Sequence, residues 1–211
     1  TFKHLLKRIA SLEKPILLAT GASNMAEVMQ AVDVVLSENK DICLMQCNTN
    51  YTGDLENFKY VNLNVLRMFS LVYPNMPLGF SDHTPGHSAV LGAIALGARV
   101  VEKHFTDDNL RIGPDHHFAL NPLSWSEMVD RSRELEYSLG NGVKIVETNE
   151  EDTVIIQRRS IRLLKDIAAG ETLCLSDIEF LRPCPTDAIS PQDYEMILGK
   201  PIKKNREKGD Y

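Results

Sequence analysis

GFSDH, at residues 79–83, and VVEKH, at residues 100–104, are the two stretches that decide the fold of this chain. Each is a short apolar run that ends in a histidine, and residues 87–96 between them have the pattern of a helix. This order predicts a β-α-β unit with parallel strands, so both histidines should reach the same edge of the sheet. Neighbouring strands lie about 4.8 Å apart, which is close enough for His83 and His104 to share one metal ion.

The alternation of strand and helix occurs four times. The predicted strands lie at residues 15–19, 41–47, 78–83 and 99–104, and the predicted helices follow at residues 24–37, 60–72, 87–96 and 124–139. We expect Ser23 to cap the first of these helices, and Ser124 with Glu127 to form a capping box at the last. Near-continuous apolar strands that alternate with helices are typical of a parallel sheet.

Polar residues gather where the predicted strands end, and alternate residues place them on one face of the sheet. They are Thr20, Thr49, Ser81, His83, Glu102 and His104. A doubly wound sheet also binds ligands at this edge, but it does not usually need inward polar groups on successive strands. We therefore favour an α/β barrel, in which residues 1–140 form the second half of an eight-stranded TIM barrel. Either the chain is a fragment of a longer protein or another chain supplies the missing half, and we favour the fragment.

The remainder of the chain has a different character. Residues 141–157 are polar and acidic and are predicted to be a linker. Residues 158–211 contain short strand-like runs and turns, which predict a small β-rich domain that is cut short.

Composition excludes several classes of function. The chain has 211 residues, 43% of them hydrophobic and 25% charged, with a formal charge of −6. This acidic balance argues against nucleic acid or anionic membranes as partners, and no apolar run approaches the length of a membrane helix. The cysteines form no metal-binding or disulfide pattern, so we expect reduced thiols and a cytoplasmic location.

His83 and His104 allow three interpretations: a shared metal, hydrogen bonds to a substrate without metal, or packing. Two imidazoles without a thiolate favour an open, hydrated ion such as Mn²⁺, Co²⁺ or Mg²⁺, with Zn²⁺ not excluded. Glu102 shares the inward face and would bind substrate hydroxyls, orient a histidine or neutralise a buried cation. Asp82 and Lys103 fall on the opposite face, where we expect a salt bridge between them.

Two further residues have equally simple structural explanations. Asp115 lies in a loop after the fourth strand, where it would either grip sugar hydroxyls or stabilise a turn. Arg182 follows a predicted strand in the small domain and by itself indicates only an exposed basic side chain.

Together these stretches resemble the sialic acid synthases, a family that condenses phosphoenolpyruvate with an amino-sugar. The matching stretches are residues 17–21 (LLATG), 46–51 (QCNTNY), 79–84 (GFSDHT), 102–106 (EKHFT), 113–116 (GPDH) and 181–183 (LRP). The resemblance implies a carbon–carbon bond-forming transferase that makes a nine-carbon 2-keto sugar acid. It also implies that residues 158–211 are an antifreeze-like (SAF) domain, exchanged in a homodimer so that each caps the partner's barrel.

The resemblance also assigns roles to single residues. His83 and His104 match the ligands of a divalent metal, for which we expect Mn²⁺, with Mg²⁺ or Co²⁺ as alternatives. Ser81 and Tyr51 match positions near phosphoenolpyruvate, with Thr49 beside them. Three residues match groups that hold the amino-sugar: Glu102, Asp115 and, across the dimer, Arg182.

The match has departures. Ala19 stands where the family pattern has a serine, and Thr49 replaces an asparagine. The family's phosphate-binding lysines and a catalytic glutamate belong to the first half of the barrel, so we expect this segment alone to have no catalytic activity. Three alternatives remain: an aldolase that makes a phosphorylated 2-keto acid, a metal-dependent hydrolase, and a non-catalytic carbohydrate-binding module.

Overall fold

A computed structural model describes residues 2–211 and divides the chain into two units, Thr1–Gly142 and Val143–Tyr211. The helices and strands of the first unit, in chain order, are α1 (Lys3–Ala10), β1 (Ile16–Ala19), α2 (Met25–Leu36), β2 (Ile42–Cys47), a 3-10 helix (Leu55–Tyr60), α3 (Val65–Val72), β3 (Leu78–Asp82), α4 (Ser88–Ala95), β4 (Ala98–Lys103) and α5 (Pro122–Leu139).

The four strands of this unit form one parallel sheet in the order β1-β2-β3-β4, as the sequence predicts. Within residues 2–142 the helices pack against one face of the sheet. Side chains of that face, such as Leu44 and Phe80, join a single buried cluster with α2 and α3 residues such as Val32 and Phe69. A sheet covered by helices on one face is the arrangement of a barrel wall, whereas a doubly wound sheet carries helices on both.

Two helices start at residues that differ from the prediction. Asn24, not Ser23, caps α2: its side chain accepts a hydrogen bond from the Glu27 amide, and the Glu27 carboxylate accepts one from the Asn24 amide. At α5 the capping box is formed by Asn121 and Ser124, one turn before the predicted pair. Both boxes satisfy amide groups that the first turn of a helix leaves free.

The second unit is small and contains mostly short elements. They are a 3-10 helix (Thr148–Glu150), α6 (Glu151–Gln157), β5 (Ser160–Leu163), a 3-10 helix (Leu175–Asp177), β6 (Ile178–Leu181) and a 3-10 helix (Pro191–Met196). The strands pair antiparallel, with Ile161 opposite Phe180, above a core that includes Leu163 and Ile178. Residues 141–157, predicted to be a linker, contain α6, and the unit boundary lies between Gly142 and Val143.

No helix within residues 2–211 is both long and apolar enough to cross a membrane.

Candidate active site at the strand ends

The site begins with two imidazoles at the carboxyl ends of neighbouring strands. His83 follows β3 and His104 follows β4, and the strand register pairs Ser81 with Glu102 two residues before them. The ring centroids of His83 and His104 lie 5.0 Å apart, with the ring planes inclined at 64°. His83 is buried, whereas 23% of the His104 side chain is exposed. The predicted convergence of the two rings is therefore present.

Tyr51 covers this pair of rings from the loop after β2. Its ring centroid lies 4.3 Å from that of His83 and 5.5 Å from that of His104. The phenol is about half exposed, so it forms the solvent side of the cluster. An aromatic ring beside two imidazoles limits the directions from which a ligand can approach them.

The loop that carries Tyr51 is held against the loop after β4. The His117 side chain lies 3.1 Å from the Thr52 carbonyl oxygen. Gly53 has a φ of +68°, and a Cβ there would come within 2.5 Å of the Phe118 side chain. The Phe118 ring in turn lies 5.1 Å from the ring of His104. Any residue larger than glycine at position 53 would therefore disturb the wall of the site.

Burial controls the charge of His83. Desolvation lowers its pKa, and the neighbouring His104 lowers it further. The Cys47 Sγ atom lies 3.9 Å from the His83 Nδ1 atom. A neutral imidazole has a lone pair available for a metal or a hydrogen-bond donor, which is the state that both functional interpretations of the pair require.

His104 contacts a carboxylate instead. Its Nδ1 atom lies 3.3 Å from the Asp115 Oδ2 atom. The loop that presents Asp115 is fixed by Asn109, whose side-chain amide donates to the carbonyl oxygens of His116 and Ala119, each at 2.8 Å. Because Asn109 also accepts a hydrogen bond from Asn121, the capping residue of α5, the loop is tied to the start of that helix.

The other predicted site residues differ in their burial and in the element that carries them. Ser81 is buried on the inward face of β3, and Glu102 is exposed opposite it on β4. Among the described residues, Glu102 makes no hydrogen bond to either histidine. Thr49 is exposed, with its Oγ1 atom 3.7 Å from the Cys47 Sγ atom. Arg182 belongs to the second unit, where it is exposed directly after β6.

The donor atoms present suit only an open metal site. Within residues 2–211 no group of three or more His, Cys, Asp or Glu side chains is arranged to hold a metal ion. Two imidazoles with ring centroids 5.0 Å apart are therefore the available protein donors. Such a pair fits an ion that keeps water or substrate oxygen in its other positions, and it does not fit a closed structural zinc site.

Three residues that shape this cluster are not predicted from the sequence. Cys47 is expected only to be a packing thiol, although it shares a strand face with Thr49 and Tyr51, and that parity already places it near the rim. Phe118 and Asn109 lie in an irregular loop, which has no periodicity from which their contacts could be predicted. Their positions depend on side-chain contacts that only the folded chain reveals.

Comparison with known proteins identifies a family and several related synthases. The NeuB family profile matches residues 1–144. The N,N'-diacetyllegionaminic acid synthase of Campylobacter jejuni is 36% identical over 203 residues, which cover 95% of this chain and 59% of that protein.

Solved structures resemble the chain as well. The spore coat polysaccharide biosynthesis protein SpsE of Bacillus subtilis matches with a TM-score of 0.59 and 30% identity, covering 98% of this chain and 62% of that one. The N-acetylneuraminic acid synthetase of Leptospira borgpetersenii matches with a TM-score of 0.64 and 25% identity, covering 72% of this chain and 52% of that one. The chain thus spans about three fifths of the length of its curated relatives.

Proposed function

The chain belongs to the NeuB family, and from this premise we propose that the full-length protein condenses phosphoenolpyruvate with an N-acyl mannosamine-type sugar aldehyde. The product would be a nine-carbon 2-keto sugar acid, released together with phosphate. The names of two relatives, a synthase of N,N'-diacetyllegionaminic acid and a synthetase of N-acetylneuraminic acid, support this class of product. The observation that carries the proposal is the pair of imidazoles, 5.0 Å apart, at the ends of adjacent strands.

We expect His83 and His104 to hold a divalent metal, Mn²⁺ in the first place and Mg²⁺ or Co²⁺ as alternatives. When bound, such an ion supplies Lewis-acid polarisation of a carbonyl oxygen. Burial lowers the pKa of His83 and so favours the neutral imidazole, which is the form that binds a metal. The carboxylate of Asp115 beside His104 orients the second ring.

The condensation makes one carbon–carbon bond and one carbon–oxygen bond, the latter from water, and it breaks the carbon–oxygen bond to phosphate. Carbon 3 of phosphoenolpyruvate joins the aldehyde carbon, whose oxygen takes up a proton. Water adds at carbon 2, the bond from carbon 2 to the phosphate oxygen breaks, and a 2-keto acid and inorganic phosphate remain. We assign the hydroxyls of Ser81, Tyr51 and Thr49 to phosphoenolpyruvate.

The amino-sugar would be held by acidic and basic groups. Glu102 and Asp115 are carboxylates able to accept hydrogen bonds from sugar hydroxyls. We assign Arg182 to the acyl-amino group, reached across a homodimer in which residues 158–211 act as an exchanged SAF domain. A cytoplasmic setting, where phosphoenolpyruvate is formed, is part of the same proposal.

Phosphate release from phosphoenolpyruvate and N-acetylmannosamine in the presence of Mn²⁺ tests the proposal in the full-length protein. Loss of several kcal/mol of carbonyl activation should make His83→Ala and His104→Ala slower by about 10²- to 10⁴-fold. His87→Ala changes a histidine at the start of α4 that makes no ring contact with the pair among the described residues, and it should keep the wild-type rate. A wild-type rate in His83→Ala with added Mn²⁺ would refute the metal role, and a preference for arabinose 5-phosphate would favour the phosphorylated keto acid instead.

A further inference from the structure

A buried ion pair lies directly behind the two histidines. The Lys103 Nζ atom is 2.6 Å from the Asp82 Oδ2 atom, and their side chains are 2% and 0% exposed. The two residues are register partners at the ends of β3 and β4. Because alternate residues of a strand face opposite ways, this pair occupies the helix-covered face while His83 and His104 occupy the other. The salt bridge predicted from the sequence is confirmed.

Asp82 also fixes the chain on the far side of His83. Its Oδ1 atom accepts hydrogen bonds from the Thr84 amide at 2.9 Å and from the Thr84 hydroxyl at 2.8 Å. Lys103 donates a second hydrogen bond to the Thr84 carbonyl oxygen. His83 therefore sits between two residues of one network, and His104 directly follows the third. We refer to Asp82, Thr84 and Lys103 as the strand-end network.

Stability alone does not explain these charges. Removing two ions from water costs several kcal/mol each, and a hydrophobic pair of similar volume is often as stable or more stable. The ion pair adds a directional contact. Its short, buried, charge-assisted hydrogen bond joins the end of β3 to the end of β4 at a fixed distance. Hydrophobic contact is non-directional, so a hydrophobic pair would not fix the two side chains and the residue after His83 in this way.

We propose that the strand-end network is a positioning device that sets the separation of His83 and His104. None of its members faces the inward side of the sheet, so each acts through the imidazole next to it in sequence. The inference rests on the proposed function, because the spacing of the two rings determines how well they hold one divalent ion between them. The inference extends that function, because it names residues that should change the metal affinity without touching metal or substrate.

The double variant Asp82→Asn/Lys103→Met tests this in the full-length protein. The two charges are removed together, so no unpaired ion remains in the interior. The side-chain carbonyl of the new amide at position 82 still accepts the hydrogen bonds of Thr84. The variant loses the two hydrogen bonds that Lys103 donates, to Asp82 and to the Thr84 carbonyl oxygen. Val90→Ala, a change in the buried face of α4, serves as a control matched for loss of stability. Arg99→Met/Glu136→Gln removes an exposed ion pair that involves the same strand and is the control for charge.

Mn²⁺ titration followed by electron paramagnetic resonance gives the dissociation constant without any activity assay. We expect an increase of about tenfold or more in Asp82→Asn/Lys103→Met and no change in either control. In the metal-free protein, the ¹⁵N resonances of both imidazoles should shift in the same variant. A wild-type dissociation constant together with unchanged resonances would overturn the inference.

Two further results separate this inference from the proposed function. If the wild-type protein binds no Mn²⁺, the metal role fails, while the metal-free imidazole resonances still decide whether the network positions the rings. If the double variant does not fold, Thr84→Val removes one hydroxyl donor with little change of volume. The Mn²⁺ dissociation constant of Thr84→Val should also rise, and an unchanged value would overturn the inference.

Discussion

At the scale of single residues, the contact between His104 and Asp115 determines which ring nitrogen is available to a ligand. The carboxylate of Asp115 lies 3.3 Å from Nδ1, so Nδ1 faces that carboxylate and Nε2 is the ring nitrogen that remains for a ligand. His83 has a thiol near its own Nδ1 atom, and no carboxylate within residues 2–211 forms an ion pair with it. The two imidazoles are therefore supported in different ways, and they should respond differently to mutation of their neighbours.

Asp115→Asn should weaken Mn²⁺ binding by the full-length protein about 10- to 100-fold, because the amide holds the His104 ring less firmly than the carboxylate does. Isothermal titration with Mn²⁺ measures this directly. Asp107→Asn changes an exposed carboxylate of the same loop, which pairs with Arg111, and should leave the affinity unaltered. If only the KM for the sugar rises while Mn²⁺ binding stays constant, Asp115 binds the substrate and does not orient the histidine.

Strand parity makes part of this site predictable. It places His83 and His104 on one face and the Asp82–Lys103 salt bridge on the other, because side-chain direction in a strand depends only on sequence position. The contact of Asp115 with His104 is beyond sequence reasoning. It depends on the path of an irregular loop that Asn109 holds through three hydrogen bonds, and no periodic pattern encodes such a path.

At the scale of elements, apolar runs predict every strand of the parallel sheet to within two residues at either end, whereas helix starts are less certain. Ser23 and Asn24 are both good capping residues, and the choice depends on which side chain reaches the third helical amide. The helix predicted at residues 60–72 begins only at Val65, and Tyr60 instead ends a 3-10 helix that starts at Leu55. Such a difference follows from local packing, which composition does not reveal.

A short element of the second unit should make its stability depend on pH. Asp177 ends a 3-10 helix, and its carboxylate accepts hydrogen bonds from Lys165 and from the Cys174 amide. These partners, Lys165 foremost, lower the pKa of Asp177. Since the folded state prefers the ionised form, this contribution to stability is present above the pKa of the unfolded chain and is lost as pH falls through the folded value.

Hydrogen exchange of β5 and β6, corrected for the intrinsic rate, should show this loss beginning below about pH 5 and continuing below about pH 4, because the folded carboxyl has a pKa below its ordinary value. Asp177→Asn should have lower protection at the higher pH and a smaller decrease on acidification. Asp187→Asn, an exposed acid of the same unit, serves as the matched control and should behave like the wild type. Equal pH dependence in Asp177→Asn and the wild type would show that another group is responsible.

At the scale of the whole molecule, the two faces of the parallel sheet differ in solvent exposure. The helix-covered face is closed, with Leu44 and Phe80 almost inaccessible, while Leu17 on the opposite face is 55% exposed. Glu102 on that same face is exposed as well. Carboxylates and hydroxyls at the strand ends suit a barrel interior that opens toward substrate, but an exposed leucine at the first strand does not.

We therefore expect Leu17 to be a core residue of the full-length protein, covered by the remaining wall of the barrel that the sequence predicts; the relatives that the chain matches are longer than this chain. Leu17→Ala should then lower the free energy of unfolding by about 2–4 kcal/mol in the full-length protein, measured by urea denaturation, because it leaves a cavity. Leu71→Ala is the matched control, since Leu71 lies on α3 with 79% of its surface exposed. Its change should stay within about 0.5 kcal/mol. An equally small effect of Leu17→Ala would mean that this face stays open to solvent, and the closed-barrel interpretation of the sheet would be wrong.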